Sequence, residues 1–164
     1  MSSGLSDFFK YNLWANLRLL DECAQLSDAQ LDATMTGTFG SIRETLMHLL
    51  SSDESYARTL TGKIPTPPLK EMTHFPGFDV LRQRVKRSGE TLLAFVEQAD
   101  QEKLNEILHL DGGTYDAAAI IVVIQAIQHA VDHRSQIATL LSQQGIELPD
   151  LASWGYNDAL YGRS

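Results

Sequence analysis

Residues 117–144 read AAAIIVVIQAIQHAVDHRSQIATLLSQQ, and Gly145 follows. The run contains no proline or internal glycine and is far too long for one strand, so it predicts a long helix that ends at Gly145. On a helical wheel Ile120, Ile124, Ile127 and Val131 make one stripe, and Gln125, Gln128 and Asp132 make a polar face. His129 and His133 fall on the other border of the apolar arc, beside Val122, Ala126 and Leu140. A helix this apolar must be covered by partners, and the rest of the chain supplies them. Residues 5–26 repeat apolar side chains at helical spacing (Leu5, Phe9, Leu13, Leu17, Leu20, Ala24) without a breaker. Ser27-Asp28-Ala29-Gln30 reads as a fresh cap and a short turn, and residues 34–40, rich in Thr and Gly, as a loop.

Ser41-Ile42-Arg43-Glu44 is a capping box that opens a second helix, with Ile42, Leu46, Leu49, Leu50, Ala57 and Leu60 on its apolar face and Gly62 at its end. Residues 63–77 hold four of the five prolines (Pro65, Pro67, Pro68, Pro76), which predicts a stiff crossover loop. A third helix is expected over residues 78–98, although Gly89 weakens it, and its basic run Arg82, Arg84, Lys86, Arg87 reads as a solvated face. Residues 106–115, centred on Asp111-Gly112-Gly113, predict a small hairpin. The tail, with Trp154, Tyr156 and Tyr161, is expected to pack on the bundle. Four amphipathic helices and one long crossover make an all-α four-helix bundle, a single domain over residues 1–164.

Composition narrows the function. The 164 residues are 43% hydrophobic and 21% charged, which is globular, with a formal net charge of −8. That balance argues against nucleic acid and anionic membrane as partners, since both require clustered positive charge. Cys23 is the single cysteine and cannot form an internal disulfide. No basic segment followed by an apolar run stands at the N-terminus, and the longest apolar stretch, residues 117–124, is well short of the roughly 20 residues of a membrane span. A soluble, cytoplasmic protein is expected.

Of the five histidines, His129 and His133 carry the most information. At i and i+4 on a helix they share a face, so two imidazoles can converge on one ion; two ordinary bundle histidines are the alternative. No Glu follows His129, so the zinc-protease HExxH arrangement is excluded. His48 is the best third ligand, because bundle sites draw on facing helices, yet it lies away from the centre of its own apolar stripe, as a surface residue would. His74, in the proline loop, and His109, in the hairpin, read as surface or packing residues.

Three segments taken together resemble the DinB-like family, which groups with YfiT-like metalloenzymes: Tyr11-Asn12-Leu13-Trp14-Ala15-Asn16, Thr45-Leu46-Met47-His48-Leu49-Leu50, and His129-Ala-Val-Asp-His133-Arg134-Ser135-Gln136-Ile137. The resemblance spans nearly the whole chain, departing where Ser135 stands in place of the family's common Gly. It implies an up-down-down-up bundle with one divalent ion on His48, His129 and His133, and a homodimer. Three imidazoles leave a coordination position open, where an ion lowers the pKa of water, polarises a carbonyl or holds a thiolate. Nickel and zinc both suit imidazole. Two functions follow: a metal-dependent enzyme acting on a small-molecule substrate, by hydrolysis or by transfer of a low-molecular-weight thiol, or a non-catalytic metal-binding or stress-response bundle. Asp53 lies on an apolar stripe and must be paired if buried, either between helices or to a histidine. Trp14 reads as a packing residue and Cys23 as a buried, inert thiol.

Overall fold

The computed structural model describes residues 4–63, 67–72 and 74–162. Four long helices build it: α1 (Gly4–Cys23), α3 (Ile42–Thr61), α4 (Phe78–Gln98) and α6 (Ala119–Gln143), with short α2 (Asp28–Leu31), α5 (Gln101–Asn105) and α7 (Ser153–Tyr161) between and after them. Among the described residues no helix is long and apolar enough to cross a membrane.

The predicted start signals operate as chemistry. Ser27 and Ser41 each accept a hydrogen bond from the third residue of the helix that follows, while the Gln30 and Glu44 side chains accept one from the cap backbone amide. Gly62 closes α3 in the left-handed region at φ 70°, where a side chain would be strained. Gly89, which lowers helix propensity, is placed by close packing: a Cβ there would stand 2.6 Å from Leu13 Cδ1 and 3.3 Å from Leu13 Cβ. It lets α1 and α4 approach.

Two core clusters fix the direction of every helix. One joins Phe9 from the start of α1, Leu60 from the end of α3, Val96 from the end of α4 and Val122 from the start of α6. The other joins Leu20, Leu46, Leu81 and Ile137, from the opposite ends of the same four helices. The order is therefore up, down, down, up. Because α3 and α4 run parallel and adjacent, the chain must return the length of the bundle between them, which is the task of the proline-rich crossover.

That crossover has a buried anchor. Glu54, 1% exposed, accepts the Leu69 amide at 2.9 Å and Arg84 Nη2 at 3.0 Å, and the same Nη2 donates to the Pro67 carbonyl at 2.8 Å. Arg84 thus departs from the solvated face expected of its basic run; Arg82 pairs with Asp21 and Asp79 near the surface. Leu69–Glu71 form one 3-10 turn in this loop, and Pro65 lies outside the described residues.

The hairpin forms as β1 (Ile107–Leu110) and β2 (Tyr115–Ala118), antiparallel, with Ile107 opposite Ala118. Its second strand takes Ala117 and Ala118, so α6 begins two residues later than its apolar run suggests. Of the three tail aromatics Tyr156 packs, meeting Tyr11 and Trp14 with ring centroids 6.0 and 5.3 Å apart, and the Tyr11 hydroxyl donates to the Leu151 carbonyl at 3.0 Å, whereas Trp154 and Tyr161 are exposed.

Candidate metal centre

His48 stands in the second turn of α3, and His129 and His133 lie on successive turns of the neighbouring α6. The helix pair brings all three together. His48 Nε2 is 3.0 Å from His129 Nε2, and one ring nitrogen from each histidine lies within 4.8 Å of the others. Ring centroids are 4.3 to 4.9 Å apart. Around a tetrahedral ion with bonds of about 2.0–2.1 Å, ligand nitrogens stand about 3.3 Å apart, so the cluster has the right scale for one ion. Among the described residues no Cys, Asp or Glu joins it.

The protonation state also suits a cation. Burial, then the charge of His133, pushes His48 below its ordinary value; burial, then His133 and His48, pushes His129 down to about 4. Near neutral pH both rings keep a lone pair free. His133, 7% exposed, sets Nδ1 at 3.2 Å from Gln136 Oε1. An amide oxygen can only accept, so His133 donates from Nδ1 and keeps the Nε2 lone pair free. Gln136 Oε1 also accepts the Phe39 amide at 3.0 Å. This bond holds the Phe39 ring stacked on His48 at 4.0 Å and edge-on to His133 at 5.6 Å. His129 meets the Tyr56 ring at 5.8 Å, and its buried Nδ1 has no hydrogen-bond partner among the described residues.

Gln136 and Phe39 had no assigned role in the sequence. Gln136 sits one turn beyond His133, a spacing that can orient a histidine, whereas Phe39 lies in an aperiodic loop that offers no signal. His48, for which the wheel favoured the surface, is brought to the other two. His74 is exposed, and His109 pairs with Asp116 on the hairpin at 2.7 Å. Cys23 is buried and its thiol is pushed up to about 12, chiefly by burial, which makes it inert at neutral pH.

Asp53 does not touch the histidines. Asn16 Nδ2 donates to its Oδ2 at 2.9 Å, and Arg134 Nη1 donates to Asn12 Oδ1 and Asn16 Oδ1, both at 2.6 Å. Burial pushes the Asp53 carboxyl up to about 7, against the pull of Arg134 and Asn16. Residues of the Tyr11–Asn16 segment and the His133–Ile137 segment therefore meet in one buried network that ties α1 to α6 beside the histidines.

A cleft of about 900 Å³ opens between α3, the hairpin and α6. The three clustered histidines do not line it; Tyr56 does, and its ring is the wall that also faces His129.

Comparison with known proteins agrees with this architecture. A model of the DinB family matches residues 1–159. Protein DinB of Bacillus subtilis (strain 168) is 24% identical over 152 residues, covering 86% of this chain and 88% of that protein. The crystal structure of a DinB-like protein from Bacillus subtilis, YjoA, superposes with a TM-score of 0.64 at 18% identity, over 91% of this chain and 97% of that one. At that identity the likeness concerns the fold.

Proposed function

The chain belongs to the DinB family, and from that premise we propose that it is a metal-dependent enzyme acting on a small molecule in the cytoplasm, with His48, His129 and His133 as the ligands of one nickel or zinc ion. One observation carries the reading: nitrogens from three histidines on two helices lie within 4.8 Å of one another, with no acidic or thiol side chain among them. Such a donor set leaves the ion's charge uncompensated and a coordination position open, so the ion would supply Lewis acidity to a substrate carbonyl or thiol. The chain's own contribution is orientation. Gln136 fixes the His133 ring, Phe39 covers His48, and Tyr56 separates His129 from the cleft.

Hydrolysis and transfer of a low-molecular-weight thiol both fit this chemistry. The competing reading, a non-catalytic metal-binding or stress-response bundle, calls for a closed site with a fourth protein ligand, and no fourth His, Cys, Asp or Glu stands with the three among the described residues. We also propose a homodimer, for which Ile124 and Val131 offer exposed apolar surface on α6; a monomeric mass in solution refutes it.

Elemental analysis of untagged protein tests the centre. About one nickel or zinc per chain in wild type, lost in His129→Ala, is expected, and thiol-transfer and hydrolase assays on the loaded protein then separate the two chemistries. Wild type that holds no metal after reconstitution refutes the ligand assignment.

A further inference from the structure

We propose that the cleft beside the histidine centre binds a small organic anion, a carboxylate or phosphate, through Arg58 and Lys70. The two cations come from separate elements, the last turn of α3 and the 3-10 turn of the crossover, and both line the same cleft. Neither has an ion pair or hydrogen bond from its side chain among the described residues. Lys63, Lys86 and Arg87 share this state among the described residues, but the other described arginines do not. Arg18, Arg43, Arg82 and Arg84 are all paired with carboxylates, and Arg134 is held in the buried network.

The electrostatics make the free pair informative. A protein with a net charge of −8 repels anions, so anion binding needs local uncompensated cations. In the cleft Asp111 is the opposing carboxylate and His109 is taken up by Asp116, so Arg58 and Lys70 leave one positive charge in excess. The volume, about 900 Å³, suits a small molecule. Val122 and Ala117 supply a buried apolar floor, and the Tyr56 ring is the wall between the cleft and His129. A ligand anchored by its anionic end at Arg58 and Lys70 would lie along this floor, against the Tyr56 wall. The inference takes its catalytic meaning from the proposed metal centre, but anion binding itself does not require the ion.

The test is an NMR titration of zinc-reconstituted protein with succinate and, separately, inorganic phosphate, following backbone amides of the cleft. Saturable shifts at Tyr56, Arg58 and Tyr115 are expected, with affinity falling at least about tenfold in Arg58→Ala/Lys70→Ala. Response to succinate alone identifies a carboxylate site, and response to phosphate alone a phosphate site. Lys63→Ala/Arg87→Ala, which removes two cations outside the cleft, should bind as wild type does. Should either variant pair lose its fold, the single changes Arg58→Gln and Lys70→Gln carry the comparison. Absence of saturable shifts with both anions, or equal loss in the two double variants, overturns the proposal. Zinc content measured on the same samples reports separately on the metal centre, so a failed anion site and a failed metal site give different results.

Discussion

Replacing Arg134 with Met probes the buried network directly. Arg134 is 4% exposed and its Nη1 serves both Asn12 Oδ1 and Asn16 Oδ1 at 2.6 Å. Methionine keeps much of the side-chain volume, so the loss is mainly polar. Two buried acceptors lose their charged donor, at about 1–3 kcal/mol each. Part of this is returned, because a guanidinium is no longer desolvated and its Nη2 has no hydrogen-bond partner in the native state. The guanidinium also stands over the Tyr11 ring, 5.4 Å from its centroid, a contact worth about 1 kcal/mol that is lost with the charge. The balance is a destabilisation of about 3 kcal/mol. For a domain of this size that lowers Tm by roughly 6–12 °C. Urea unfolding followed by circular dichroism measures it, with an unchanged m-value showing that the change lies in stability. A loss below about 1 kcal/mol would refute the argument, since it would mean that Asn12 and Asn16 find other donors at no cost.

Asp53 gives a pH signature. Its carboxyl is raised by burial to about 7 in the folded chain, so the folded state holds a proton that the unfolded state releases from its ordinary value of 3.8. The stability it contributes is therefore complete below that lower value and is lost as pH rises through the upper one, by on the order of 4 kcal/mol. Asp53→Asn should flatten this fall relative to wild type, read from urea midpoints at about pH 5 and about pH 8; parallel profiles would contradict it. Arg84→Met strips the partner from Glu54 and costs about 3–5 kcal/mol, with faster proteolytic cleavage in residues 63–77 as the second readout. Gly89→Ala gains about 1 kcal/mol of helix propensity but drives a Cβ to 2.6 Å from Leu13 Cδ1, so a net loss of about 1 kcal/mol is expected. A rise in Tm would show that Leu13 moves aside freely.

The architecture was legible because its signals are local. Ser41 with Glu44, Gly62 and the four prolines mark boundaries through hydrogen-bond supply and backbone freedom, neither of which depends on the rest of the chain. What failed to show was long-range. Arg84 looks like one of four solvated cations in sequence and becomes the partner of the buried Glu54, thirty residues away. Asp53 resembles a candidate for orienting a histidine until α1 supplies Asn16. Nothing in residues 34–40 indicates that Phe39 will lie on His48.

His48 shows why a wheel misjudges such a site. A helix in a four-helix ring has two neighbours, and its apolar stripe points between them at the common core. A side chain off the centre of that stripe is not thereby aimed at solvent; it can face one neighbour alone. On α3 the neighbours are α4 and α6, and His48 turns to α6, where His129 and His133 occupy the matching border of their own apolar arc. The polar edge of one helix meets the polar edge of the next, leaving the core closed beneath them. Metal ligands belong at such seams because they need a dry floor and an open side, and both are met only where two apolar arcs end together.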